Sequence, residues 1–225
     1  KECQINTYQL GINQIKQAVN KGALWLTRGK STQRLRKIKK PLQLGDEIHF
    51  YYHQQVLDQK PAAAQLIEDF HHYSVWYKPY GMLSQGSKWS DHCTICRWVE
   101  SHITPQRTAY LVHRLDRAAS GLIMVAHSKS AAQLLSQLFE QRTIKKHYQV
   151  IVHGKFAVED NNQVVDQAID GKKAHSIFSM LDYHQPSDTS LLEVKIATGR
   201  KHQIRKHASL NNLPVVGDRL HGLKS

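Results

Sequence analysis

The chain is poor in cysteine and in acid, and it contains no long hydrophobic run. Three cysteines in 225 residues do not make the disulfide framework of a small secreted domain. Free thiols and a cytosolic location are the expectation. No apolar stretch reaches the roughly 18 residues that a membrane-spanning helix needs, and the opening Lys1-Glu2-Cys3-Gln4-Ile5-Asn6 has no hydrophobic signal core. The glycines form no phosphate-cradling loop, which argues against an ATP-driven enzyme. Cys93-Thr94-Ile95-Cys96, preceded by His92, invites a zinc reading. A structural zinc needs a second ligand pair at matching spacing, and none is available. The two cysteines are better explained as small helix residues, and no metal is expected. His202 and His207 lack the intervening glutamate of a helical metalloprotease motif.

What the chain has is cation. Lysine and arginine number 31 against 18 acids, for a formal charge of +13. Such an excess favours a polyanionic partner, with nucleic acid as the default. The length suits one sizeable domain and a small one. Composition separates a strongly basic region (1–52), a connector (53–70) around Pro61-Ala62-Ala63-Ala64, and a region (71–225) that alternates apolar strands with helical patterns.

In the first region Ile12, Ile15 and Val19 recur at helical spacing, and Asn20-Lys21-Gly22 supplies a helix stop. Ala23–Thr27 and Ile48–Tyr52 read as strands. Between them Arg28, Lys30, Arg34, Arg36, Lys37, Lys39 and Lys40 occur without one acid. Such a run is either a solvated face or an RNA contact, and its place inside a small folded unit favours RNA. Farther on, Tyr73–Tyr77, Leu122–Ala126 and Tyr148–Val152 read as strands, and residues 93–102 as a helix. Leu192, Val194 and Ile196 alternate with Glu193 and Lys195 as in a half-buried strand. Ser128 caps a helix whose Ala131, Leu134, Leu135, Leu138 and Phe139 are expected in the core.

The chemistry is concentrated in His113-Arg114-Leu115-Asp116-Arg117-Ala118-Ala119-Ser120-Gly121-Leu122. One carboxylate stands between two arginines. Nearby positive charge favours an ionised acid, and a positioned carboxylate can act as a nucleophile. Arg-x-Asp-Arg is also a common surface ion-pair cluster. Two further strings follow: Lys145-Lys146-His147-Tyr148-Gln149-Val150-Ile151-Val152-His153-Gly154, and Thr198-Gly199-Arg200-Lys201-His202-Gln203-Ile204-Arg205-Lys206-His207. Taken alone, Tyr148 reads as a core residue and Arg205 as part of a cationic helix face. Lys201 and Arg205 would share one side of that helix, with Ile204 and Ala208 on a neighbouring apolar side.

The three strings in this order, with Lys78-Pro79-Tyr80-Gly81 before them and Gly217-Asp218-Arg219-Leu220 after, resemble the RluA-type pseudouridine synthases. These enzymes isomerise uridine to pseudouridine in ribosomal or transfer RNA. The resemblance spans roughly residues 71–222, and Ala119 stands where the family usually has threonine. It implies an α+β fold with a central mixed, mainly antiparallel sheet flanked by helices. It implies Asp116 as the nucleophile, Tyr148 stacked on the uracil, Ile204 packed near the base, Arg205 against the catalytic carboxylate, and Arg114 at the place the base vacates. Attack at carbon six of uracil and attack at the anomeric carbon both stay open. No cofactor is implied, and a monomer acting on RNA away from membranes is expected. The basic first region looks like the small S-four RNA-binding domain, an α/β unit. That fold starts earlier than this chain does, and family chains run past Gly217-Asp218-Arg219, so both ends are expected to be cut short. The rival reading is a non-catalytic, ribosome-associated RNA-binding protein. A DNA-binding module has no recognition-helix or zinc-finger pattern behind it.

Overall fold

The structure, a computed structural model, describes residues 10–37, 40–156 and 162–223. In chain order the elements are α1 (Ile12–Asn20), β1 (Leu24–Arg28), β2 (Ser31–Leu35), β3 (Glu47–Phe50), α2 (Gln54–Leu57), β4 (Gln65–Asp69), β5 (Tyr73–Lys78), α3 (Ile95–His102), β6 (Tyr110–Leu111), β7 (Gly121–Ala126), α4 (Lys129–Glu140), β8 (Lys146–His153), β9 (Asn162–Val165), β10 (Ser176–His184), β11 (Thr189–Ile196) and α5 (Gln203–Leu210). The fold is α+β, as expected. Its strands pair antiparallel in three sheets, ordered β2-β1-β3, β4-β5-β7-β6 and β8-β11-β10-β9. By internal contacts the chain divides into two compact units, residues 1–136 and 137–225, and α4 carries the chain from the first to the second.

The first unit holds two of the sheets. In the four-stranded one, β5 and β7 are central, and Trp76, Ile123, Val125 and Ala126 are buried on them. Expected strands and helices fall within a residue or two of their predicted bounds here. The connector is different. Residues 53–70 include α2 and β4, and β4 extends the sheet by pairing with β5. The basic stretch after β1 likewise contains a strand, β2, which pairs with β1 from Leu24↔Leu35 to Arg28↔Ser31. On α1 it is Ala18 and Val19 that are buried, whereas Ile12 is solvent-exposed. Gly22, at φ +90°, ends this helix in the left-handed region that glycine adopts without a side-chain clash.

The second unit is built on β8-β11-β10-β9 with α5 against it. Val152, Phe156, Val165, Phe178, Leu192, Val194 and Ala208 form its core cluster. The alternation expected along β11 is present: Leu192 and Val194 are fully buried. The core role expected for α4 is smaller than its periodicity implied, because Leu135 is buried but Leu134 is 63% exposed and Leu138 is 38% exposed.

Candidate active site and its setting

In the first unit Lys78, the last residue of β5, stands opposite Gly121, the first of β7. The turn after β5 and the loop before β7 therefore leave the sheet at the same end. Backbone bonds tie them together. Gly81 N donates to the Arg117 carbonyl at 2.8 Å. Leu115 N donates to Ser84 Oγ at 3.0 Å, and Ser84 Oγ donates back to the Leu115 carbonyl at 2.7 Å. Met124 N donates to His113 Nε2 at 2.9 Å. Asp116 thus lies between two fixed backbone points, and Ala119 N closes a turn onto its carbonyl at 3.0 Å. The carboxylate-bearing residue is half-buried, while Arg114 beside it is exposed.

In the sequence Lys78 reads only as part of a turn signal, yet it is fully buried. Its Nζ donates to the carbonyls of Met82 at 2.9 Å and Pro79 at 3.1 Å. Burial pulls its ammonium down to about 8, against the charge of Asp116, which acts to hold the proton on. The Lys-Pro pairing was the available signal. A lysine closing an otherwise apolar buried strand needs a buried partner.

In the second unit Tyr148 lies on β8 opposite Val194 of β11. Tyr148 and Ile204 both pack against the core cluster, so these two predicted residues meet on common ground. The helix bearing Ile204 and Arg205 begins at Gln203, after His202 at φ 55°. Lys201 therefore lies outside it and does not share a helix face with Arg205. The expected apolar side of Ile204 and Ala208 is present.

Two buried residues that sequence reasoning passed over anchor α5. The Gln203 amide oxygen accepts from Thr198 Oγ1 at 2.7 Å and Arg200 N at 3.0 Å. Its nitrogen donates to the His175 carbonyl and Ser176 Oγ, both at 2.9 Å. His207 Nε2 lies 2.9 Å from the Gln167 carbonyl and therefore carries the proton, leaving Nδ1 to accept from Ser176 Oγ at 2.9 Å. Burial lowers the pKa of His207 and favours this neutral form. Arg205 presents Nε and Nη2 to the two oxygens of Asp218, with Nε–Oδ2 at 2.7 Å. The Arg205 guanidinium and the amides of Leu220 and His221 hold the Asp218 carboxyl far below the usual range.

The basic stretch divides in use. Arg28 forms a fork on Asp46, with Nε–Oδ1 at 2.7 Å and Nη2–Oδ2 at 2.6 Å. Arg34 donates to the carbonyls of Gly22 and Ser87, and Arg36 pairs with Asp91. These three guanidiniums are engaged in holding the fold, with acids from beyond the run. Lys30, Lys37 and Lys40 are exposed, and Lys39 lies outside the described residues. Among the described residues no cluster of three or more acids, histidines or cysteines is arranged to hold a metal ion. Burial pushes the Cys96 thiol up to about 12.

The sequence model of the family described as RNA pseudouridylate synthase matches residues 72–210. The chain belongs to that family. Among its relatives, an uncharacterized RNA pseudouridine synthase of Mycoplasma pneumoniae is 29% identical over 80% of this chain and 64% of its own length. The ribosomal large subunit pseudouridine synthase D of Nitrosomonas europaea is 32% identical over 71% of this chain and 50% of its own. A tRNA pseudouridine synthase C of Pectobacterium carotovorum is 35% identical over 50% of this chain and 36% of its own. The chain thus spans less than two thirds of the length of each of these pseudouridylate synthase relatives. Two solved human pseudouridylate synthase structures share the fold. RNA pseudouridylate synthase domain containing 1 superposes with a TM-score of 0.61 at 22% identity, covering 73% of each chain. Domain containing 4 superposes at 0.57 and 23% identity, covering 70% of this chain and 68% of that one.

Proposed function

We propose that this chain isomerises uridine to pseudouridine within a ribosomal or transfer RNA, with Asp116 as nucleophile. The observation that carries the reading is the doubly fixed loop around Asp116, tied by Ser84 and Gly81 to the turn after β5, within a chain of the pseudouridylate synthase family. Such bracing holds a reacting group in position before substrate arrives. The target nucleotide leaves its stack at a cost of a few kcal/mol. The Asp116 carboxylate attacks carbon six of uracil or the anomeric carbon of the ribose, and the bond from N1 to the sugar breaks. The ring turns, carbon five bonds to the sugar, the bond to Asp116 breaks to release the carboxylate, and carbon five loses a proton while N1 gains one. Atoms and charge balance without an oxidant, a metal or a nucleotide cofactor.

The other roles follow the family resemblance. Tyr148 offers its ring to the everted base, which needs an aromatic face in place of its lost neighbours. Ile204 packs near that base. Arg205, braced by Asp218, orients the catalytic acid. Arg114, exposed beside Asp116, contacts RNA where the base was. The exposed lysines Lys30, Lys37 and Lys40 contact phosphate.

Asp116→Asn keeps the shape of the side chain and removes its nucleophilicity. RNA binding is expected to survive in this variant while pseudouridine formation, read by nucleoside analysis of uridine-containing RNA, stops. Turnover in the variant would refute the assignment, and absence of turnover in the wild type would favour a non-catalytic RNA-binding protein.

A further inference from the structure

The sheet β2-β1-β3 presents a face with an unusual content. Trp25 of β1 stands opposite both Arg34 of β2 and His49 of β3, and Thr27 stands opposite Thr32 and Glu47. Of these residues all but Arg34, together with Tyr51 and Lys88, line an open cleft of about 410 Å³, to which Glu47 contributes a carboxylate. Its aromatic groups are organised. The His49 and Tyr51 rings lie near-parallel at 6.3 Å, and Trp89 meets Tyr51 edge-on at 5.8 Å. Cations accompany them. The Lys88 ammonium lies 5.2 Å from the Tyr51 ring centre and 4.9 Å from that of Trp89, and the Arg34 guanidinium lies 4.4 Å from that of Trp25. The floor is polar, with Thr27 Oγ1 2.8 Å from Thr32 Oγ1 and 3.0 Å from His49 Nε2. Trp25 Nε1 donates to the Lys88 carbonyl at 2.9 Å, which fixes the Lys88 loop at the cleft edge.

We propose that this cleft holds an unpaired nucleotide of the RNA, at a second contact separate from the Asp116 loop. Lys78, Gly81, Ser84, Leu115 and Asp116 are not among its lining residues. Rings flanked by the Lys88 ammonium match a base and its phosphate: the base stacks, the ammonium meets the anion, and the hydroxyls and imidazole meet base edges or the ribose hydroxyl. A duplex presents no open base face to such a surface, so the occupant is single-stranded. The volume lies in the range of small-ligand sites, and the strongly cationic chain supplies charge complementarity. The inference rests on the RNA reading above but not on its chemistry.

The test uses the whole chain and a short oligoadenylate, which carries no uridine and cannot react. Stacking on Trp25 is expected to quench tryptophan fluorescence on titration. Tyr51→Leu should weaken binding roughly tenfold, and Lys88→Glu by a similar factor, while Asp116→Asn binds like the wild type. Lys88 is exposed and its carbonyl is untouched by the substitution, so that variant keeps the test valid if Tyr51→Leu fails to fold. Quenching that Lys88→Glu abolishes, in a chain that converts no uridine, would support the cleft and remove the catalytic reading. Uridine conversion by a chain whose Lys88→Glu variant binds oligoadenylate within about twofold of the wild type would overturn the cleft alone.

Discussion

At the scale of single residues the buried ionisable groups carry the sharpest consequences. Lys78 has an ordinary value of 10.5 and is brought to about 8 by burial. Below about pH 8 it is charged in both folded and unfolded chains, and folding bears the full desolvation. Between 8 and 10.5 the unfolded chain binds more protons, so stability rises with pH across that window. Relative to Lys78→Met the gain should approach about 3 kcal/mol, read from urea midpoints across the range. A flat difference would place Lys78 in contact with water. The slope has the same sign for Asp218, whose depressed pKa contributes stability that is present above its ordinary value of 3.8 and lost as pH falls below it. Asp218→Asn should cost about 2 kcal/mol, less than a fully buried pair would lose because Arg205 is partly exposed. If Arg205 acts as proposed, turnover should fall with that stability.

At the scale of elements, α5 depends on Gln203 and His207 more than on its cationic face. Gln203→Leu would remove the acceptor of the Thr198 hydroxyl and the Arg200 amide and one donor each from Ser176 Oγ and the His175 carbonyl, and an expected loss of about 3 kcal/mol is measurable by chemical denaturation. Gly22→Ala is a second case. A methyl group there would collide with the Asp91 carboxylate and the Arg34 guanidinium in a left-handed backbone, for an expected cost of about 2 kcal/mol or more. The elements legible in the sequence were those with an apolar rhythm and local punctuation: α1 with its Gly22 stop, β5 closed by proline, α3, α4 and β11. Two of those missed had neither. β2, Ser-Thr-Gln-Arg-Leu, is an edge strand exposed over its first half, specified by its partner β1. β4 is mostly exposed as well and is defined by pairing with β5. The candidate site follows the same division. Asp116, Tyr148 and Arg205 stood out through family strings, whereas Lys78, Ser84, Gln203 and His207 owe their roles to burial and to partners tens of residues away, which no local pattern encodes. The helix expected from Arg200 starts only at Gln203, because His202, in the left-handed region, interrupts the run.

At the scale of the whole molecule, the net charge of +13 predicts a steep dependence of RNA binding on salt. With several phosphates neutralised, affinity should fall by roughly a thousandfold between about 50 and about 200 mM monovalent salt, as read by filter binding. A shallow slope would shift the weight of recognition onto the bases. The guanidiniums turned inward have one more consequence. Arg34 and Arg36 reach the loop at 87–91, Asp91 N and Ser90 Oγ both donate to the Lys21 carbonyl at 3.1 and 3.0 Å, and Arg97 of α3 reaches back to Asn20. The basic strands are therefore not a cassette that can be cut away to leave the rest intact. A protein trimmed to begin after residue 52 would carry a frayed loop ahead of α3 and an acid at 91 stripped of its countercharge.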